Sequence, residues 1–252
     1  MELIDIMSLI EEEKINSEKY RLLEEIIEYN KKKVKIVKLT SDNVSRVEAM
    51  ISTNSDYKQT QIGEDGIAYK QDGTIKYIGS SRFWILQLKE IIDTDLKYSS
   101  KGFSYEDIIK NIIIAVDNEN STHLNSDKMG RDVVRDRILS LSRTELKELL
   151  KDEEKEYKLL NYIQTPQHKG EKNHFSFATK FCHYVSLIIF EGTEFEDNYS
   201  IYDNVLKKSL CKYVKRYLNL DIKEDSFEKD YKKYIGYIDS IRNKAEELYG
   251  KK

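Results

Sequence analysis

Lys180 and Asp203 are the residues of this chain whose types and surroundings suit covalent chemistry. Lys180 lies inside Phe175-Ser-Phe-Ala-Thr-Lys-Phe-Cys-His-Tyr-Val-Ser-Leu-Ile-Ile-Phe190, apolar on nearly every side, as a helix at the centre of a domain must be. An ammonium there is costly unless it is paired or neutralised, and a neutral amine is a nucleophile. Helical spacing puts Lys180, His183 and Leu187 on one face and sends Phe177, Phe181, Cys182, Val185 and Ile188 to the core. The plainer role for the lysine is a stem packed on apolar surface with its head in water. Asp203, just before Asn-Val-Leu, reads as a helix N-cap. Such a carboxylate stays ionised beside the helix dipole, and it is also what a developing positive charge needs nearby.

The elements that must position this pair are helices. The 252 residues are 35% charged, with a single Pro, a composition that favours long helices over a sandwich or barrel. We therefore expect a mainly α, multi-helix fold with one small β-hairpin. It divides into 1–78, a helical segment with the hairpin, and 79–252, a helical domain. The formal charge of −3 neither requires nor excludes a polyanion, so any nucleic-acid contact must be local. Cys182 and Cys211 fall on buried helical faces, and no leader or spanning segment shows, since the run Val185–Phe190 is too short. The reading is a soluble, cytoplasmic protein with reduced thiols.

Along the chain, apolar spacing predicts an amphipathic helix over 3–29, ended by Asn30 and Lys31–Lys33. A short strand over Val34–Leu39 follows, then a helix capped by Thr40 or Ser41 to about Met50. Residues 52–66 are polar and loop-like. Ile67–Ile78, turning at Asp72-Gly73, is the clearest hairpin signal. Helices then start at Ser80 or Ser81, at Ser104 with Asp107, and at Arg131, with a polar loop over 118–127. The capping box Ser142-x-x-Glu145 opens a charged helix to about Ile163, stopped at Thr165-Pro166, in which the acidic stretch 152–156 is a solvated face. Beyond the central helix come a helix over Asp203–Leu218 and a last one over about Ser226–Tyr249.

Ala178-Thr-Lys-Phe-Cys-His-Tyr-Val185 with Ser200-Ile-Tyr-Asp-Asn-Val205 resembles the catalytic core of the 8-oxoguanine DNA glycosylases of the helix-hairpin-helix superfamily. In that family a Gly-Thr-Lys-x-Ala-type sequence supplies a lysine nucleophile and a Pro-(Val/Ile)-Asp element supplies an aspartate at a helix start. Phe175–Cys182 with Ile201-Tyr-Asp203 is more similar still to a compact bacterial offshoot of it. The resemblance covers 174–218. It implies that Lys180 forms the Schiff base, that Asp203 is the catalytic aspartate, and that the partner is double-stranded DNA bearing a damaged or modified base. No cofactor or metal is implied.

The flipped base would need an aromatic-lined pocket, for which Phe175, Phe177, His183, Tyr199 and Tyr202 are available. The chain departs from the family in two places. Gly170-Glu-Lys-Asn-His-Phe-Ser-Phe177 stands where a glycine-rich hairpin should grip a DNA phosphate, and Ser200 stands where a proline precedes the aspartate.

Local charge adds to this. Lys207, Lys208, Lys212, Lys215 and Arg216 follow Asp203, and the first four are candidate phosphate contacts. A second cluster, Lys128, Arg131, Arg135, Arg137 and Arg143, is diluted by Asp132 and Asp136 and reads as a solvated helix face. His123, His168, His174 and His183 have no Cys or carboxylate partners at zinc-ligand spacing. Ser176 and Ser186 lack a nucleophile elbow, and Gly63–Gly66 is a turn rather than a phosphate loop. The leading expectation is a DNA glycosylase with AP lyase activity. The alternatives are a catalytically silent helical binding protein and an interaction protein that assembles through helix 3–29.

Overall fold

A computed structural model describes residues 22–43, 45–47, 68–69, 75–77, 80–120, 122, 124, 130–166, 173–223, 227 and 230–249. The chain is mainly helical, as its composition requires, and it divides into two compact units. One comprises Met1–Gln61, Lys208–Glu224 and Gly236–Lys252, the other Ile62–Lys207 and Asp225–Ile235. Among the described residues no helix is long and apolar enough to cross a membrane.

The unit of Ile62–Lys207 holds the helical core. Strands β3 (Ala68–Tyr69) and β4 (Ile75–Tyr77) pair antiparallel where a hairpin is expected, with the Asp72-Gly73 turn outside the described residues. Helix α1 (Ser81–Thr94) starts at Ser80, whose side chain accepts the Phe83 N–H, and Glu119 accepts the Ser81 N–H at 2.8 Å. Helix α2 (Tyr105–Asn120) opens on the reciprocal pair Ser104 and Asp107 and runs into the expected polar loop as far as Asn120. Helix α3 spans Gly130–Leu139. The capping box is in place at α4 (Arg143–Lys151): the Ser142 hydroxyl accepts the Glu145 N–H and the Glu145 carboxylate accepts the Ser142 N–H.

The helix expected from Ser142 to Ile163 is two helices. It stops at Asp152, left-handed at φ 43°, and resumes as α5 (Lys158–Gln164). Residues 153–157 are therefore not a helix face. The cause is Asp152 itself, only 8% exposed, whose carboxylate accepts the N–H groups of Glu156 at 3.1 Å and Tyr157 at 2.7 Å. A short polar side chain competing for backbone donors is a helix stop that needs neither Gly nor Pro. Helix α6 (Phe175–Ile189) is the expected central helix and packs against α1, α2, α4 and α5. Phe177, Ala178, Phe181, Cys182 and Val185 are its fully buried stripe. Helix α7 (Asn204–Tyr213) begins here, as does α8 (Tyr231–Tyr249), which starts later than the sequence suggests.

The other unit corrects the expected N-terminal helix. Residues 24–29 are strand β1 (Glu24–Tyr29), paired antiparallel with β2 (Lys32–Val37); residues 3–21 of that helix lie outside the described residues. The two runs alternate in step, so Ile27 and Ile36 turn inward together and Glu28 falls opposite Lys33. Asn30 and Lys31, at φ 50° and 60°, close the two-residue turn.

Asn43 fastens the hairpin base. Buried at 2% exposure, it accepts the Leu23 N–H and donates to the carbonyls of Leu23 and Lys38, each at 2.8 Å. Its own N–H goes to Thr40 Oγ1, the expected cap of the helical residues 41–43. Beyond α7 the helix loosens into a π-helical turn, Val214–Leu218. In this unit the Tyr213 hydroxyl donates to the Val37 carbonyl at 2.8 Å and the Tyr217 hydroxyl to Glu25 at 3.1 Å.

Candidate functional site

Helix α6 carries Lys180 one residue after Thr179 and three before His183, and both neighbours reach the strand of chain that leads to Asp203. Thr179 Oγ1 accepts the Tyr202 N–H at 3.1 Å, and His183 Nδ1 lies 2.7 Å from the Tyr199 carbonyl. The Tyr234 hydroxyl donates to the Ile201 carbonyl at 2.6 Å. Tyr231 both donates to the Ser200 carbonyl at 2.6 Å and accepts the Ser200 N–H at 2.9 Å. Residues 199–202 thus have their backbone fixed from α6 on one side and α8 on the other. Buried backbone groups without a ladder must find such partners.

Asp203, half-buried, closes this segment as the expected N-cap. Its Oδ1 accepts the N–H groups of Val205 at 2.8 Å and Leu206 at 2.7 Å. Lys180 is 6% exposed. Burial pulls its pKa below that of an ordinary lysine, and the Asp203 carboxylate pulls it back up. The two interact through space, with no ion pair within 4.0 Å joining them. Tyr184 and Tyr234 also feel Asp203: burial raises both phenols first, Glu119 and then Asp203 add to the rise at Tyr184, and Asp203 adds to it at Tyr234.

The Lys180 amine has a direct partner that spacing along α6 does not reveal. Its Nζ donates at 3.1 Å to the carbonyl of Asn120, the last residue of α2. A helix C-terminus offers unpaired carbonyls and a negative dipole end, so the ammonium caps α2. The Asn120 side chain extends the arrangement. Its amide donates to the Val116 carbonyl at 3.0 Å, and its Oδ1 accepts the Tyr184 hydroxyl at 2.9 Å. Asn120 and Tyr184 are the members of the site that sequence reasoning missed. Asn at the end of a helix is common, and nothing local ties position 120 to position 180.

The aromatic residues proposed for a base pocket are packed. Phe177 and Tyr199 are each 1% exposed, Tyr202 4% and Phe175 5%. Phe175 meets Tyr202 edge-on at 4.8 Å, and the Tyr199 hydroxyl donates to the Leu149 carbonyl. In this arrangement they are core, and only His183, half-buried beside Tyr184, keeps open surface. Of the four lysines, Lys207 sits over the Tyr202 ring at 5.9 Å in the unit of Lys180. Lys208, Lys212 and Lys215 belong to the other unit, where Lys208 is exposed and Lys215 is paired with Asp221 at 2.7 Å.

The second basic cluster is taken up by structural contacts. Arg131 pairs with Asp117, Arg135 with Asp132 and Asp136, and Arg143 with Asp95, while buried Arg137 donates to the Ile163 carbonyl. Lys128 lies outside the described residues. Among the described residues no group of three His, Cys, Asp or Glu side chains could hold a metal ion. No protein-family model matches the chain, and neither a curated protein nor a solved structure matches it significantly.

Proposed function

We propose that the protein is a DNA glycosylase with AP lyase activity, acting on double-stranded DNA that carries a damaged or modified base, in the cytoplasm or on the nucleoid. The observation that carries this reading is the desolvated Lys180 amine, its pKa lowered by burial, in the field of Asp203 on a backbone segment tied to the same helix. Neutral Lys180 Nζ attacks the sugar C1′ and sheds a proton to solvent. The N-glycosidic bond breaks, and its electron pair leaves with the base, which takes up a proton. Ionised Asp203 stabilises the cation-like sugar as that bond opens. The resulting N,O-acetal opens to an imine as the C1′–O4′ bond breaks and O4′ takes up a proton, and loss of a C2′ proton then expels the 3′ phosphate by β-elimination. For attack, the amine must leave the Asn120 carbonyl.

A second reading has its own observation. Lys180 caps the C-terminus of α2 at 3.1 Å, and Phe177 and Tyr199 serve the core, so the same residues suit a catalytically silent helical protein that binds nucleic acid or protein. Single-turnover excision decides between them. Wild type incubated with a panel of lesion-bearing duplexes should release a base from at least one, and Lys180→Gln from none. No release by wild type across the panel favours the silent protein, and equal release by both removes Lys180 from the chemistry.

A further inference from the structure

We propose that the tip of the β1–β2 hairpin is a phosphate-binding element for nucleic acid, supplying the backbone grip for which the chain has no glycine-rich hairpin. The choice of partner rests on the reading of the chain as acting on DNA. Lys31, Lys32 and Lys33 follow one another at the tip and are all exposed, and no carboxylate among the described residues pairs with them. Elsewhere cations are commonly matched, as Lys35 is with Glu24 at 2.9 Å and Arg216 with Glu25 at 3.1 Å. The acid nearest the tip in the ladder is Glu28, opposite Lys33, so the tip keeps a net positive charge.

The backbone sets these lysines apart from an ordinary solvated face. Lys31 occupies the second position of the turn at φ 60°, where glycine is the favoured residue and any other costs on the order of 1 kcal/mol. Lys31 therefore carries its charge at a position whose backbone favours a residue with no side chain. The tip also stands on a fixed base, held by the three Asn43 hydrogen bonds and by Tyr213 on the Val37 carbonyl. Lys32 and Lys33, one strand residue apart, point to opposite faces, and Lys31 leaves from the turn. Three diverging ammonium groups on a narrow end suit a rod with closely spaced phosphates. A flat anionic bilayer is drawn by larger basic clusters, on the order of 4–8 residues, and neither turn residue is apolar.

The test is binding of the full chain to an undamaged duplex, read by fluorescence anisotropy as salt rises from about 50 to about 200 mM. Three phosphate contacts contribute roughly 0.9 each to the slope of log affinity on log salt. Replacing Lys31, Lys32 and Lys33 together by Ala should therefore flatten the slope by about 2.7, a salt response about 40-fold smaller over that range. Replacing all three by Arg should restore it. Lys31→Gly should raise the melting temperature while flattening the slope by about 0.9, a pairing that a merely structural role cannot give.

Unchanged affinity and slope in the triple Ala protein would overturn the proposal. So would binding to phosphatidylserine vesicles, lost with the lysines, in a protein with no affinity for DNA. Loss of DNA affinity in a protein that excises no base leaves the hairpin assignment standing and removes the glycosylase. Excision at saturating DNA by a protein whose affinity ignores these lysines does the reverse.

Discussion

Asp152 and Asp203 hold similar posts in the helical unit with different neighbours. Each stands at a helix boundary and accepts two backbone N–H groups, Asp152 those of Glu156 and Tyr157, Asp203 those of Val205 and Leu206. Asp152 is almost fully buried. The groups that feel it are the Cys182 thiol and the Tyr199 phenol, both pushed up chiefly by burial and neutral at ordinary pH. Asp203 is half-buried, and the group that feels it first is a lysine, Lys180. The same capping chemistry therefore yields a structural aspartate in one place. In the other it yields an aspartate whose charge is available to a neighbouring amine. Capping does not tell the two aspartates apart; the group that feels each of them does.

The largest effect that separates the two is on rate. Asp203→Asn keeps a side-chain acceptor at the cap, so stability should change by no more than about 1 kcal/mol. Single-turnover excision should fall by about 10²–10³-fold, as when one preorganised charge-stabilising group is lost. If the melting temperature collapses instead, the cap is the whole role of Asp203. Next comes Asp152→Ala, which strands the buried Tyr157 N–H and the part-buried Glu156 N–H and should cost about 2 kcal/mol by denaturant titration, with the excision rate of the folded fraction unchanged. A rate loss there matching that of Asp203→Asn would erase the contrast.

Lys180 sets a smaller effect, read through pH. Its folded pKa is lowered and its unfolded value is the ordinary 10.5, so between the two the unfolded chain binds the proton and the folded chain does not. Stability should therefore rise with pH across that window, from the lowered value up to 10.5, and this rise should be missing from Lys180→Met. Parallel stability curves for the two proteins over that window would mean that Lys180 is not desolvated in solution. The smallest effect is at Tyr184→Phe, which leaves Asn120 Oδ1 without its donor and should cost about 1 kcal/mol.

Much of this was legible in the sequence because it is local. The Ser142–Glu145 box, the apolar run around Lys180 and the capping position of Asp203 each declare themselves within a few residues. What failed had a competing reading at the same range. Ile26 and Ile27 fit a helical stripe, yet they also fit a strand once the matching run Lys32–Val37 is set against them, and the turn between them lacks the glycine that announces a hairpin. Asp152 sits in an acidic stretch that looks like a solvated helix face, which hides the one carboxylate that turns inward to stop the helix. Asn120 could not be found at all. Its bonds to Lys180 and Tyr184 cross sixty or more positions of chain and follow from how α2 packs on α6.

The central claim is that the Lys180 amine forms a covalent bond to the sugar of its substrate. Borohydride reduction during turnover on a lesion-bearing duplex, followed by peptide mass mapping, tests it most directly. A reduced DNA adduct is expected on the peptide containing Lys180, and none in Lys180→Gln. An adduct on another lysine, or base release with no adduct at Lys180 under the same reduction, would contradict it.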